Sequence, residues 1–330
     1  MLDISVIVVC FNEEKNIHAC LESLVRQSYP IEQCEIIVVD GGSKDRTADI
    51  IQEFSDAYAN VELVVEPRKG TAIGRNAGVE AARHPYIAFL DADCEAPTDW
   101  LERLEAYFQK HREADQTVVA VGGSNVPPPD SAPFVQAVGV AMDSFAGSFN
   151  SAQGRQFEEV KYVVSLPTLN VLYEKKAIID IGGFDVSLGS EAEDAELNYR
   201  LYTQGRRFVF IPNMPVLHKF RSTPAIWYKN MVRYGRGRAR LLKRYPDMWS
   251  LSFVLPPIFL LVICSLSLVV LHPFFAVVGL YFPAIFLYAA LLCFRKGRPG
   301  LIYHVALVFI VQHFGYATGE VFGLLNPQVR

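Results

Sequence analysis

The sequence predicts an α/β domain with a mostly parallel sheet that helices cover on both faces, followed by a membrane region. Within the first 220 residues, short β-branched or aromatic runs alternate with helical segments through short loops. From residue 251 onward the chain becomes strongly apolar. This last part raises the hydrophobic fraction to 51% and the mean hydropathy to +0.19, which are high values for a soluble protein.

The alternation of strands and helices begins near the N-terminus. A β-branched run at residues 4–9 predicts the first strand, and Asn12 is the expected N-cap of a helix that ends at Leu24. No basic segment precedes an apolar one, so a signal peptide is not expected. The next strand, helix, strand, helix and strand are predicted at residues 35–39, 45–54, 61–65, 70–82 and 86–90.

The second stretch of the domain has a less regular pattern. Ser190 and Glu193 fit a capping box at the start of its last predicted helix. Strands are predicted at residues 118–121, 163–173 and 208–211, a helical and then loop-like region at 131–157, a turn at 182–184 and a helix at 190–203.

Three apolar segments follow, at about residues 251–271, 274–294 and 301–325. Each is long enough to cross a bilayer whose hydrocarbon core is roughly 30 Å thick. The third contains His304, His313 and Glu320, which indicate either a functional groove or a segment at the membrane interface. A tight connection at residues 271–273 makes the first two a hairpin.

Charge predicts the orientation of this hairpin. Basic residues precede its first segment and follow its second, so the positive-inside rule places the large domain in the cytoplasm, at the inner or plasma membrane. Pro256-Pro257 and Pro283 would also allow a hairpin that enters the membrane and returns. The six cysteines include no C-x-x-C pair, which is typical of free thiols in a reducing compartment.

A basic and aromatic segment lies just before the first apolar stretch. Although the net charge of the chain is −4, residues 229–244 are markedly basic. The pattern predicts an interfacial helix on an anionic leaflet. Alternatively, Arg233, Arg236 or Arg238 binds a phosphate of the leaving nucleotide or of a polyprenyl-phosphate acceptor. Because the segment adjoins a membrane region and the chain is acidic overall, nucleic acid is not an expected partner.

The most informative motif is Asp91-Ala92-Asp93, which follows the apolar run at residues 86–90. Two carboxylates where a buried strand meets a loop can both point into the crevice at the carboxyl edge of a sheet, where open α/β sheets bind ligands. Such a pair suits Mg²⁺ or Mn²⁺ that also holds a diphosphate. The alternative is a turn with two solvated acids and a helix cap at Thr98.

Two glycine-containing loops are further candidates. Asp40, followed by Gly41 and Gly42, can bind a nucleobase edge or a ribose, or it can belong to a helix entry that Ser43 caps. Lys69 and Arg75 flank a loop that precedes a helix, so they are plausible phosphate contacts or part of a solvated basic turn. The sequence has neither the Walker A spacing nor a G-x-G-x-x-G after the first strand.

A pair of acids opens the predicted helix at residues 190–203. Glu193 belongs to the expected capping box, whereas Asp194 lies one position beyond it and is not needed for the cap. Asp194 is therefore either a simple helix-start acid or a general base that acts on an alcohol.

Together these motifs resemble those of family 2 glycosyltransferases with the GT-A fold, over about residues 4–220. The resemblance is greatest to the membrane-attached bacterial enzymes of exopolysaccharide or lipid-linked oligosaccharide synthesis, including the succinoglycan type. The matching segments are residues 5–9 and 11–13, 39–43 with Asp45 and Thr47, Gly70 with Arg75, Asn76 and Gly78, 91–93, 182–185, and 193–194 with Leu197 and Arg200.

The resemblance implies a role for each motif. Asp40 would contact the base of a nucleotide-diphosphate sugar, and Phe11, Asn12 and Glu13 would line the same pocket. Asp93 would bind the metal, with Asp91 on the ribose or beside the metal. Asp194 would be the catalytic base of an inverting transfer, with Glu193 beside it.

The implied organisation is a GT-A catalytic domain at residues 1–220, an interfacial segment at 221–250 and a membrane region at 251–330. The implied acceptor is a lipid-linked glycan, and other polysaccharide-assembly enzymes are possible partners.

Processive members carry Q-x-x-R-W after the catalytic acid, where this chain has RYGRGR at residues 233–238, so transfer of a single sugar is expected. A processive synthase, a sugar nucleotidyltransferase and a non-catalytic membrane scaffold are the alternatives.

Overall fold

The computed structural model describes residues 1–148, 151–220, 223–249 and 251–326. The chain forms two compact units. The first comprises Met1–Val126 and Ser151–Lys219, and the second comprises Pro127–Asn150 and Phe220–Arg330. Residues 127–150 therefore group with the C-terminal helices, although the sequence assigns them to the catalytic domain. The predicted boundaries at residues 220 and 250 stay a prediction.

The first unit contains an eight-stranded and a three-stranded sheet. Their strands are β1 (Ile4–Cys10), β2 (Cys34–Asp40), β3 (Val61–Val65), β4 (Tyr86–Leu90), β5 (Cys94–Glu95), β6 (Val118–Gly122), β7 (Asn125–Val126), β8 (Lys161–Val163), β9 (Asn170–Glu174), β10 (Arg207–Phe210) and β11 (Val216–His218).

The helices of this unit join the strands along the chain. They are α1 (Ile17–Val25), α2 (Thr47–Ala57), α3 (Thr71–Ala81), α4 (Trp100–Ala114), α7 (Lys175–Asp180) and α8 (Glu193–Thr203). Short 3-10 turns lie at Ile31–Gln33 and Val186–Leu188. The second unit contains α5 (Pro133–Met142), α6 (Phe145–Ser148), α9 (Pro224–Arg244), α10 (Leu251–Cys264), α11 (Tyr281–Arg295) and α12 (Ile302–Leu325).

The large sheet has the order β3-β2-β1-β4-β9-β6-β10-β8. Its first four strands are parallel, and β6 is parallel to β10. Because β9 runs antiparallel to both β4 and β6, and β8 antiparallel to β10, the sheet is mixed, with four of its seven pairings parallel. One apolar core lies on each face of the sheet, which confirms the predicted cover on both sides. The carboxyl ends of β1, β2 and β4 share one edge.

The three-stranded sheet brings distant segments of the chain together. Its order is β5-β11-β7, so β11 pairs with the strand that directly follows Asp93. In this pairing His218 lies opposite Cys94. Residues on opposite strands at one register position project from the same face, and the sheet therefore places a histidine beside the Asp91-Ala92-Asp93 motif.

Two of the predicted boundaries are wrong. The first helix begins at Ile17, not near Asn12, because Asn12 has the left-handed φ of +55° and its side chain accepts a hydrogen bond from the Lys44 N–H (2.8 Å). The predicted strand at residues 163–173 is two strands, β8 and β9, which pair with different neighbours in the sheet. Both differences arise from tertiary contacts that local sequence patterns do not contain.

The predicted capping box at the start of α8 is also wrong. The residue before the helix is Ala192, in the left-handed conformation with φ of +65°. The Ser190 hydroxyl instead accepts a hydrogen bond from the Thr71 N–H (3.0 Å), and Glu193 binds an arginine. The polar groups predicted to cap α8 therefore connect it to α3.

Among its described residues, the second unit contains three helical segments that are long and apolar enough to cross a membrane. They are Phe253–Val270, Pro273–Arg295 and Pro299–Leu325, close to the predicted positions. The prolines at 256 and 257 lie inside α10, and 3-10 turns at Ser265–Val270 and Pro273–Leu280 join it to α11. The remaining 3-10 turns are Pro246–Met248 and Pro299–Leu301.

Glycines line the packing surface between α9 and α12. Gly315, Gly319 and Gly323 recur every four residues on α12, and Gly235 lies on the facing surface of α9. A Cβ at Gly319 would overlap the Val232 carbonyl, and one at Gly235 would overlap the Tyr316 carbonyl. Such small-residue rows allow two helix backbones to approach closely. Contacts of residue 231 with 315 and of 239 with 323 show that the helices run parallel.

We expect Gly319→Ala to destabilise the second unit. In a helix interior the change would normally stabilise by up to about 1 kcal/mol, but here the new methyl group meets backbone that cannot rotate away. The expected net loss is about 1–3 kcal/mol, seen as a lower Tm of the detergent-solubilised full-length protein. Gly300→Ala is the matched control, since no described atom lies within 4 Å of its added carbon. Equal Tm values for both variants would contradict the packing argument.

Candidate active site

The loops that follow β1 and β2 are joined by hydrogen bonds. The Asn12 N–H donates to the Ser43 hydroxyl (2.8 Å), and the Glu13 N–H donates to the Thr47 hydroxyl (2.8 Å). The nearly fully buried Asp40 carboxylate accepts a hydrogen bond from the Ser43 N–H (3.0 Å). A Cβ at Gly41 would lie 3.3 Å from the Cys10 carbonyl oxygen, so the glycine permits this close approach.

These contacts place the predicted base-binding residues next to one another. Phe11 is 48% exposed at the rim of the two loops and is free to cover a flat ligand. Asp40 lies at the carboxyl end of β2, as predicted, but its carboxylate also organises the turn to Ser43. The two interpretations left open for Asp40, ligand binding and turn formation, are therefore compatible.

Arg75, in α3, forms a buried bridge between the start of α8 and the turn at residues 91–93. Its guanidinium binds Glu193 and lies 3.4 Å from an Asp91 carboxylate oxygen, and its side chain is 6% exposed. The guanidinium also lies over the Phe184 ring, 5.6 Å from the centroid. A buried arginine held by two carboxylates is suited to position them, whereas Lys69, on the loop before α3, is exposed.

Further contacts join the start of α3 to the segment that precedes α8. The Ala72 N–H donates to the Gly189 carbonyl (3.0 Å), and Gly70, with φ of +133°, packs directly on Gly189. The Asn76 side chain both accepts from the Phe184 N–H and donates to the Phe184 carbonyl, each at 2.8 Å. The sequence predicted none of these cross-links, which hold the start of α8 against α3.

Asp194 follows Glu193 in the first turn of α8. The pKa of Asp194 is raised to about 6, first by burial and then by the neighbouring Glu193 carboxylate, while Arg75 opposes both effects. Burial likewise raises the pKa of Asp91, again opposed by Arg75. A carboxylate whose pKa lies near neutrality is suited to accept a proton from an alcohol.

His218 is the site residue that the sequence prediction missed. Its Nε2 lies 3.4 Å from an Asp93 carboxylate oxygen, and its Nδ1 contacts the Asn125 amide nitrogen at 2.7 Å. Asp93, Cys94 and His218 each have a possible ligand atom within 4.8 Å of the others. The signal was available, because His218 and Lys219 end a short apolar run just as Asp93 does, but their pairing with β5 was not.

The donor atoms at this point fit a divalent ion. A carboxylate oxygen and an imidazole nitrogen are ligands that a first-row ion such as Mn²⁺ accepts. Asp91 is near enough for the charges of Asp93 and His218 to influence its pKa. Asp93 lies shortly after β4 of the large sheet, and His218 is the last residue of β11 in the small sheet. The two sheets therefore hold the ligands rigidly. Rigid elements favour a defined coordination geometry.

The three candidate arginines lie on α9 in the second unit. Arg233 lies over the Tyr234 ring (5.5 Å), and Arg236 is exposed. The Arg238 guanidinium lies 4.3 Å from the centroid of the Phe253 ring, and its Nε donates to the Tyr316 hydroxyl (3.3 Å). Arg238 is therefore engaged within its unit, while Arg236 is the most accessible of the three.

The polar residues of α12 have separate environments. The Gln312 amide donates to the Gly147 carbonyl, and the His313 ring contacts the Ala146 carbonyl (3.0 Å) and the Tyr281 hydroxyl (3.0 Å). These contacts hold α6 and α11 against α12, which favours packing over a functional groove for His313. Glu320 is fully buried, and neither of its carboxylate oxygens has a hydrogen-bond partner among the described residues.

Comparison with known proteins identifies relatives along most of the chain. Residues 5–157 match the family described as Glycosyl transferase family 2, and residues 86–294 match Glycosyl transferase family group 2. Glycosyltransferase AglE of Haloferax volcanii is 30% identical over 239 residues, which are 72% of this chain and 73% of AglE. The succinoglycan biosynthesis protein ExoA of Rhizobium meliloti is 28% identical over 76% of this chain and 73% of its own.

Two further comparisons extend over nearly the whole chain. One is the dolichyl N-acetyl-α-D-glucosaminyl phosphate 3-β-D-2,3-diacetamido-2,3-dideoxy-β-D-glucuronosyltransferase of Methanococcus voltae, 24% identical over 97% of this chain and 98% of its own. The other is the structure of mannosyltransferase PcManGT of Pyrobaculum calidifontis with GDP-Man and Mn²⁺. It has a TM-score of 0.61 at 18% identity, over 94% of this chain and 87% of that one. This similarity confirms the predicted GT-A fold.

Proposed function

The chain belongs to glycosyl transferase family 2, and we propose that it moves one sugar, with inversion, onto a lipid-linked glycan acceptor at a membrane. As a family member it is a glycosyltransferase that uses a nucleotide sugar. The family assignment favours this activity over a sugar nucleotidyltransferase or a non-catalytic scaffold. Metal dependence, inversion, the single transfer and the acceptor are the parts that we propose.

The Arg75 bridge is the observation that carries the proposal. By binding Glu193 on one side and Asp91 on the other, it holds the start of α8 beside the Asp91-Ala92-Asp93 turn. Asp194 lies close enough to Asp91 and Arg75 for their charges to shift its pKa. A possible base therefore stands next to the place where the leaving diphosphate would bind.

The proposal gives a role to each of the candidate site residues of the first unit. Asp40 and the loop at residues 11–13 would hold the nucleobase, with Gly41 allowing close approach of the backbone. Lys69, exposed on the loop before α3, would approach the diphosphate. Asp194 would accept the proton of the acceptor hydroxyl as that oxygen attacks the anomeric carbon and the nucleoside diphosphate departs on the opposite face. Glu193 and Arg75 would position Asp194 and Asp91.

Asp93 and His218, with Asp91 beside them, would hold Mn²⁺ or Mg²⁺. The ion would neutralise the negative charge that develops on the leaving diphosphate. The Mn²⁺ and GDP-Man bound by PcManGT support this part of the proposal, as does the donor set of the turn.

The membrane side of the proposal concerns the second unit. Three candidate spans follow the basic helix α9, and the Methanococcus voltae relative is named for a dolichyl phosphate substrate. We therefore propose a multi-pass protein of the inner or plasma membrane whose catalytic unit is cytoplasmic, in line with the positive-inside rule. Arg236, and less readily Arg233 and Arg238, would bind the phosphate of the acceptor lipid. Other polysaccharide-assembly enzymes are proposed partners.

A donor panel tests the proposed function. Full-length protein in lipid nanodiscs would receive UDP-, GDP- and dTDP-sugars with a polyprenyl-diphosphate-linked glycan, and release of the nucleoside diphosphate would be measured. We expect one donor to be used, release to rise at least tenfold with the acceptor, and EDTA to abolish it. NMR of the product should show one added sugar with inverted configuration. Retention of configuration would contradict the inverting mechanism, and a long polymer product would contradict the transfer of a single sugar. Full activity in EDTA would contradict metal dependence.

A further inference from the structure

Cys94 stands among the proposed ligands of the catalytic ion. Its Sγ lies 3.9 Å from an Asp93 carboxylate oxygen, and the ligand atoms of Asp93, Cys94 and His218 all lie within 4.8 Å of one another. Cys94 is fully buried, whereas Asp93 is partly accessible. The site therefore combines oxygen, nitrogen and sulfur donors, with Asp93 and His218 partly accessible (16% and 14%) and the sulfur on the buried side.

The fold places these three side chains together for a simple reason. Cys94 and His218 are directly opposite one another in the antiparallel pair β5–β11, and Asp93 is the residue before Cys94. The Lys219 N–H also donates to the Asp93 carbonyl (3.0 Å), which fixes the register at this point. Cross-strand partners have Cβ atoms about 4.5–5.5 Å apart, a spacing that one ion can bridge.

Asn125 gives His218 the support that a metal ligand needs. Its amide contacts His218 Nδ1 at 2.7 Å, and its carbonyl oxygen has no hydrogen-bond partner among the described residues. With the amide in the opposite orientation, its oxygen accepts a hydrogen bond from Nδ1–H, and Nε2, on the Asp93 side, carries the lone pair. Ligating histidines almost always have such a partner on their second nitrogen.

The chemistry of the three donors selects among ions. Thiolate and imidazole together favour Zn²⁺ over Mn²⁺ and Mg²⁺, and at almost any nitrogen, oxygen and sulfur site Zn²⁺ binds more tightly than Mn²⁺. A tetrahedral zinc site with Zn–S near 2.3 Å and Zn–N near 2.0 Å needs donor separations of roughly 3.5 Å, which small side-chain movements provide. Binding releases the thiol proton to solvent and changes no oxidation state.

We infer that Asp93, Cys94 and His218 form a binding site for a thiophilic divalent ion, Zn²⁺ in the first place. Because it shares Asp93 and His218 with the proposed catalytic ion, Zn²⁺ bound here excludes Mn²⁺ or Mg²⁺ and inhibits transfer. The inhibition rests on the proposed function, whereas the binding of Zn²⁺ does not.

The test uses the full-length protein without donor. X-ray absorption spectroscopy at the zinc edge, on the wild-type protein with one equivalent of Zn²⁺, should show a sulfur shell at about 2.3 Å. With Co²⁺ as the probe, a thiolate-to-metal charge-transfer band should appear and should disappear when Zn²⁺ is added. Cys94→Ser should abolish the band and weaken Zn²⁺ binding at least about 100-fold, while Asn125→Ala weakens it about 10–100-fold.

Cys20→Ser is the matched control, since Cys20 is also buried beside the turn but contributes no ligand atom to the cluster. It should keep the Co²⁺ band. In the wild-type protein, a zinc coordination shell made of oxygen and nitrogen alone would overturn the inference. A Co²⁺ charge-transfer band that survives Cys94→Ser would also overturn it. If the sulfur shell is found but no donor is turned over, the proposed function fails and the zinc site stands.

Discussion

Replacing Asp194 with asparagine is expected to lower kcat by about 10²–10⁴-fold, the usual contribution of a positioned general base. Asparagine keeps the size of the side chain and its place at the start of α8, but it cannot accept a proton. The residues that would bind the donor are unchanged, so the Kd for the nucleoside diphosphate should stay within about threefold of wild type. Steady-state turnover and diphosphate binding by the same preparation measure both quantities.

A matched variant and a pH profile accompany this experiment. Asp180→Asn also removes one carboxylate from the first unit, but Asp180 pairs with Lys176 on the surface, and its loss should leave kcat unchanged. Asp194 must be ionised to act, and its pKa is raised to about 6. The wild-type kcat/KM should therefore be constant above about pH 7 and fall below pH 6. An asparagine variant with normal turnover would remove Asp194 from the mechanism.

Replacing Asp93 with alanine is expected to abolish metal-dependent donor binding as well as turnover. The change removes the proposed metal ligand that lies 3.4 Å from His218, so the charge of the leaving diphosphate is no longer neutralised. We expect turnover to fall by at least about 10²–10³-fold. Titration calorimetry with the nucleoside diphosphate should show the same weak binding with and without Mn²⁺, whereas wild-type binding should be strengthened by Mn²⁺.

Asp99→Ala is the control for Asp93. It removes a carboxylate six residues further along the chain, at an exposed position just before α4. It should leave both turnover and the Mn²⁺ effect unchanged. If Asp93→Ala retains Mn²⁺-dependent binding, the ion is held elsewhere, and the role assigned to Asp93 and His218 is wrong.

The strands of the first half were predictable from sequence because their buried side chains form short, uninterrupted apolar runs. The structure confirms β3 at Val61–Val65 to the residue, and β1 and β2 nearly so. The start of α1 was not predictable, because Asn12 satisfies the N–H of Lys44 across the sheet edge and not the start of its own helix. The antiparallel direction of β9 in the sheet was likewise not predictable, because it depends on the pairing of β9 with the distant strand β4.

The candidate site shows the same division. Asp40 and Asp91 each directly follow a predicted strand, and Asp93 lies two residues after Asp91, so their shared edge could be inferred from chain order. Arg75 was predicted as a phosphate contact from its position before a helix, and that role stays a prediction. Its burial between two carboxylates was not predictable, because it is a tertiary property. His218 was missed because it reaches Asp93 only through the β5–β11 pairing, which joins positions far apart in sequence.

The close parallel packing of α9 and α12 bears on how many times the chain crosses the bilayer. Arg236 of α9 lies against Gly323, in the C-terminal half of α12. If that half entered the hydrocarbon core, the arginines of α9 would have to enter with it, at about 2.5–3.5 kcal/mol for each guanidinium at the centre. We therefore expect the glycine row to keep the C-terminal half of α12 at the headgroup layer. An even number of crossings, made by the α10–α11 hairpin alone, is the topology that we propose.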